Sequence, residues 1–159
     1  MSEIITVRRA VPEDADAIAE AEKLCFPMPW SRESILHDLV GNELALVLTA
    51  EMNGVFAGYL DIWRVAGEGQ LNNIAVMPGM RGKHVGLLLM REAIRMLRES
   101  GDTEMTLEVR SGNEPAIRLY EKLGFETAGR RAGYYLDNGD DALLMRLDLS
   151  KLTGAEETE

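Results

Sequence analysis

The sequence predicts an α/β protein: a single mixed, mostly antiparallel sheet with helices on both faces. Three observations predict it. Two apolar, strand-like runs flank Asn53-Gly54, a strong short hairpin signal. From residue 70 onward the pattern alternates strand, helix, strand, helix, strand. The chain has 159 residues, 46% hydrophobic and 28% charged, which suits one domain with a sizeable core.

In order, 4–10 (IITVRRA) reads as an opening strand. A helix follows over 12–24, with Pro12 in its first turn, acids early, and Ile18, Ala21 and Leu24 as an apolar stripe. The prolines of CFPMPW (25–30) break it. Ser31 is placed to cap a short helix over 32–40 that stops at Gly41. The hairpin occupies 43–65 and a third strand 70–76. A helix over 84–100 sets Leu87, Met90, Ile94 and Leu97 on one side and closes at Gly101. EMTLEVR (104–110) is a strand. Asn113 caps the next helix, with Pro115 in its first turn and Gly124 at its end. Strands from 125 and over 141–149 complete the sheet. The expected domain is 1–150, with 151–159 an acidic, disordered tail.

Several function classes drop out. Seventeen Lys and Arg against 27 Asp and Glu give a net charge of −10. Such a surface disfavours direct nucleic-acid binding and steers in basic partners, although solubility alone also explains it. No apolar run approaches a membrane span, and the N-terminus has no apolar signal core. A single cysteine, Cys25, excludes an internal disulfide and a cysteine-based metal cage. His37 and His84 stand too far apart in the pattern to suggest a metal site. The expectation is a cytoplasmic protein, a monomer or weak dimer, without a metal.

The turn PGMRGKHVG (78–86) precedes the 84–100 helix. A P-loop would need wider glycine spacing and Ser or Thr after Lys83; here His84 follows. A dinucleotide fingerprint fails on the spacing of Gly79, Gly82 and Gly86. A pyrophosphate site of another kind fits. Arg81 and Lys83 bring charge, Gly82 and Gly86 allow close approach, and the free N–H groups at the helix start face the anion. A basic loop that merely closes a strand-to-helix turn fits equally well at this point.

Beyond spacing, Arg81-Gly82-Lys83-His84-Val85-Gly86 resembles the pyrophosphate motif Q/R-x-x-G-x-G/A of the GNAT N-acetyltransferases, with His84 where the first motif glycine usually stands. LNNIAVMPGMRGK and LEVRSGNEPAIRLYEKLGFE extend the likeness. FPMPWS and RRAGYYLDNGDDALLMRLDL are similar to the narrower RimI-type group, which acetylates the N-terminal alanine of a ribosomal small-subunit protein. The resemblance covers nearly the whole chain to about Leu149. It implies the GNAT acyl-CoA N-acyltransferase fold, acetyl-CoA as cosubstrate, and a basic ribosomal-protein N-terminal tail as acceptor. A small-molecule amine, another protein N-terminus, or non-catalytic acyl-CoA sensing are the alternatives.

The resemblance also implies roles. Ile74, Ala75 and Val76 would pair their backbone with the pantetheine arm, much as an added strand would. Arg81, Gly82, Lys83, His84, Val85, Gly86 and Leu87 would hold the pyrophosphate, and Asn113 would contact the cofactor besides capping its helix. Tyr120 would protonate the departing thiolate; its ring also suits the core. Glu108 would be the general base. In TLEVR it points opposite Leu107 and Val109, and a carboxylate on a strand covered by helices on both faces hints at function, although most strand glutamates face water. Trp30, Tyr134 and Tyr135 would line the acceptor groove or pack in the core. Cys25, beside an apolar run and without a nearby His or basic cluster in sequence, reads as ordinarily buried.

Overall fold

The computed structural model describes residues 4–151; most of the expected acidic tail therefore lies outside the described residues. Seven strands form one sheet: β1 (Ile5–Arg9), β2 (Ala45–Met52), β3 (Val55–Val65), β4 (Glu68–Val76), β5 (Glu104–Arg110), β6 (Glu126–Arg131) and β7 (Ala142–Asp148). Their spatial order is β1-β2-β3-β4-β5-β7-β6. Every pairing is antiparallel except β4 with β5. The mixed, mostly antiparallel sheet expected from the sequence is what forms.

Four helices cover it: α1 (Ala15–Cys25), α2 (Arg32–Leu36), α3 (Val85–Glu99) and α4 (Glu114–Lys122). α1 and α2 bury Ala15, Ile18, Ala21 and Ile35 against Val47, Tyr59 and Ala75. On the other face α3 and α4 bury Leu89, Met90, Leu97 and Tyr120 against Leu48, Leu60, Ile62, Met105 and Leu107. Each such aliphatic side chain contributes about 1.5–3 kcal/mol by leaving water. Among the described residues no helix is long and apolar enough to cross a membrane.

Local chemistry sets the boundaries. Pro12–Asp14 forms a 3₁₀ turn before α1, so the helix proper starts later than position 12. Leu24, expected on the apolar stripe, is exposed; the stripe instead runs through Ala15, Ile18 and Glu22. Ser31 caps α2 by accepting from the Ser34 N–H, and His37–Gly41 widens into a π-helical turn. Both hairpins around β3 turn on left-handed pairs, Asn53-Gly54 and Ala66-Gly67.

A bulge interrupts the β3–β4 ladder. Asp61 faces Asn73 but Ile62 faces Leu71, so Asn72 is an extra residue. Beneath it lie buried carboxylates. Burial pushes the Asp61 carboxyl up to about 8, and the neighbouring Asp38 adds to the effect. Burial also pushes Asp38 up, but hydrogen bonds from Asp61, Trp63 and Asn42 outweigh it and hold Asp38 below its usual range. A carboxyl that keeps its proton when folded and loses it readily when unfolded favours the folded state fully below about pH 4. That advantage drains away as pH rises from there to about 8. Asp61→Asn keeps a donor toward Asp38 without an ionisable group. The variant is expected to melt above wild type, with the gap widening between pH 5 and pH 8 in thermal denaturation. A gap independent of pH would show that Asp61 does not fold protonated.

Candidate active site

The parallel pairing of β4 and β5 covers only Glu68–Leu71 against Glu104–Leu107. β4 runs on to Val76 and β5 to Arg110, with no ladder between them. The ladder ends there and leaves a gap in the pairing of the sheet. One wall is the backbone of 72–76, bonded to β3 on its other side; the opposite wall is Glu108–Arg110, bonded to β7. Amide-bearing chains dock on such an edge by continuing the ladder. Ile74, Ala75 and Val76 all lie on the first wall.

The glycine turn stands where β4 ends. Gly82 has φ +77° and His84 φ +67°, and α3 begins at Val85 without a side-chain cap. The first intrahelical bond runs from the Leu88 N–H to the His84 carbonyl, so the amides of Val85, Gly86 and Leu87 have no helix acceptor. A Cβ at Gly82 would meet nothing within 4 Å, and one at Gly86 would make only ordinary contacts, with Leu119 at 3.5 Å and Val76 at 3.8 Å. Packing does not demand glycine at 86; open space beside unpaired amides suits a bound diphosphate. The residues present therefore fit the pyrophosphate end of acetyl-CoA.

His84 sits in the left-handed region, where a side chain costs about 1–2 kcal/mol. Glycine would relieve this and lose about 0.4–1 kcal/mol through the freer unfolded chain. His84→Gly is therefore expected to melt at or above the wild-type temperature and to keep its acetyl-CoA affinity in calorimetry. His84→Val, β-branched at positive φ, should melt several degrees lower and bind more weakly.

Glu108 is exposed, not covered from both sides as the sequence pattern suggested. α1 packs chiefly over β3 and β4. Leu107 and Val109 point into the core on the α3 side, so Glu108 faces the open side of the gap. Two residues along the same face, the Arg110 guanidinium stacks 3.9 Å from the Tyr135 ring centroid and bonds Asp137 at 2.7 Å. Tyr135 lies close enough for Glu108 to add to the upward push that burial gives its phenol. Tyr134 packs edge-on against Tyr135 and is half-exposed.

Tyr120 is buried against Phe125, and burial alone pushes its phenol up to about 12. Asn113 caps α4 by accepting from the Ala116 N–H at 3.3 Å. Trp30 is half-buried against the α1–α2 core. Arg81 folds back to the Val76 carbonyl (3.3 Å) and to Cys25 Sγ (3.5 Å). Cys25 thus gains a basic neighbour 56 positions away that its local sequence did not show, and is half-buried.

Sequence reasoning missed Glu22, Tyr59, Asn73 and Arg110. Glu22 carried a readable signal: it falls at the i+4 position from Ile18, on the apolar stripe.

Residues 15–125 match the model of the acetyltransferase (GNAT) family. A Bacillus subtilis (strain 168) protein, provisionally named a ribosomal protein bS18-alanine N-acetyltransferase, is 40% identical over 145 residues, covering 91% of this chain and 96% of its own. The crystal structure of the ribosomal-protein-S18-alanine N-acetyltransferase from Escherichia coli superposes with a TM-score of 0.86 at 31% identity, over 95% of this chain and 97% of that one. A Salmonella typhimurium protein, yncA, provisionally an acetyltransferase and solved with its cofactor acetyl-CoA, gives 0.78 at 25% identity, over 94% and 96%.

Proposed function

The chain belongs to the GNAT acetyltransferase family, and on that premise we propose that it moves the acetyl group of acetyl-CoA to the N-terminal amine of an alanine-starting, basic ribosomal-protein tail. Acetyl-CoA is the cosubstrate. One observation carries the reading of the site: the gap between β4 and β5 has unpaired helix-start amides at its head and Glu108 on its open wall. The names of the B. subtilis and E. coli relatives support ribosomal protein S18 as the acceptor. The net charge of −10 favours a basic tail.

The chain's own groups divide the work. Amides of Val85, Gly86 and Leu87 hold the diphosphate, and the gap-facing edge of 74–76, where Arg81 already reaches the Val76 carbonyl, aligns the pantetheine arm. The bound thioester supplies an activated acetyl group. Glu108 takes a proton from the ammonium, directly or through water; an α-amino group with a pKa of roughly 8 is already about a tenth neutral at pH 7. Backbone N–H groups near Val76 steady the oxyanion. The neutral amine attacks the thioester carbon. As the C–N bond forms and the C–S bond breaks, Tyr120, kept protonated by its burial, gives its proton to the departing sulfur, and the second proton of the amine, passed through water, restores the phenol. Trp30, Tyr134 and Tyr135 line the acceptor path.

Incubation with acetyl-CoA and a basic alanine-starting peptide, read by mass spectrometry, tests this. One acetyl group is expected on the free peptide and none on the same peptide with a blocked N-terminus. Transfer to a polyamine but not to the peptide would establish the small-amine alternative. Acetyl-CoA binding without transfer to any amine would make the chain a sensor.

A further inference from the structure

Glu22 lies fully buried on α1. Its three side-chain hydrogen bonds come from neutral donors: the Trp30 N–H to Oε1 at 2.8 Å, and to Oε2 the Tyr59 hydroxyl at 2.6 Å and the Asn73 amide at 2.5 Å. A buried carboxylate met only by neutral donors costs desolvation that an apolar residue would avoid. Its retention therefore needs a reason, and its partners supply one. Trp30 stands next to last in the 26–31 loop, which on the reading above borders the acceptor path. Asn73 is presented by the bulge immediately before Ile74. Tyr59 lies between them on β3.

The loop has few other ways to be held. Pro27 and Pro29 have no N–H to donate. The Phe26 N–H goes to the Glu22 backbone carbonyl at 3.0 Å, and the Trp30 N–H to its side chain. The first is the backbone bond that ends α1 whatever residue stands at 22; the second is made by the Glu22 carboxylate alone, while Met28 at the tip is exposed. We propose that Glu22 is a positioning residue for the acceptor: it ties the acceptor loop to the strand that carries the cosubstrate contacts. This rests on the acetyl-transfer reading above.

The bonding pattern predicts which substitutions matter. The Tyr59 hydroxyl can turn from donor to acceptor, and the Asn73 amide can flip. The Trp30 backbone N–H can only donate. Glutamine at position 22 still offers it an oxygen while its own amide donates to Tyr59 and Asn73. Methionine has similar length and helix preference but offers no strong acceptor.

Glu22→Met should raise the KM for the acceptor peptide about tenfold or more and leave the acetyl-CoA Kd unchanged. Glu22→Gln should keep a near-wild-type acceptor KM. Tyr59→Phe, which removes one donor but spares the Trp30 bond, should melt lower yet keep the acceptor KM. A wild-type acceptor KM in Glu22→Met would overturn the proposal. So would an equal rise in Tyr59→Phe, which would reduce the effect to lost stability. Should Glu22→Met not fold, hydrogen exchange on the wild-type protein decides: the Trp30 amide is expected to be protected, and exchange as fast as the Met28 amide would overturn the anchor. The exchange experiment reads the anchor whatever the amine acceptor is, and wild-type transfer to the peptide is read separately, so failure of the anchor and failure of the function are told apart.

Discussion

Replacing Glu108 with Gln lowers kcat/KM for the acceptor by about 10²–10⁴-fold, the range for loss of a general base, while Tm and acetyl-CoA affinity stay at their wild-type values. The side chain is exposed on β5, and Gln preserves its shape, so the fold has little to lose. The loss should shrink as pH rises toward the amine's own pKa, because solvent then supplies the neutral nucleophile without the carboxylate. Steady-state kinetics from pH 6.5 to 9 check both halves. A variant with full activity at pH 7, or a loss independent of pH, would remove Glu108 from the role of base.

Gly58→Ala is the substitution expected to damage the fold most for its size. A Cβ there would lie 2.6 Å from the Ala75 carbonyl oxygen and 3.3 Å from the Val76 Cα, both backbone atoms. No rotamer change relieves that contact; β4 itself must move. Overpacking of this kind costs about 1–3 kcal/mol, and contact with rigid backbone places it near the upper end. For a domain of this size that lowers Tm by roughly 6–12 °C. Because Ala75 and Val76 form the wall along which the pantetheine arm would lie, acetyl-CoA binding should weaken together with stability. Thermal denaturation with and without acetyl-CoA measures both effects. A variant that melts and binds like wild type would show that β3 and β4 leave room for a methyl group at position 58.

Much of the fold was legible because its signals are local. The Asn53-Gly54 turn, the Ser31 and Asn113 caps and the apolar side of α3 each depend on residues a few positions apart, and each forms as expected. The sequence also placed β5 at its observed bounds, residues 104–110. What stayed hidden depends on distant partners. Nothing near Asn72 announces a bulge, which arises from the register of β4 against β3. Nothing near Cys25 in sequence announces that the chain brings Arg81 back beside its sulfur. The openness of Glu108 is a tertiary fact without a sequence signature: α1 packs chiefly over β3 and β4. The Glu22 network was half-legible: a charge on an apolar helix stripe marks an anomaly, but only the fold reveals Trp30, Tyr59 and Asn73 as its partners.

The short β4–β5 pairing has a further consequence, for handling the protein. An unsatisfied strand border is a template on which another polypeptide can add, and this one sits in the middle of the sheet. A cosubstrate lying along it would act as a plug as well as a reactant. Preparations stripped of acetyl-CoA should therefore self-associate more readily on storage, and light scattering with and without the plug would register the difference.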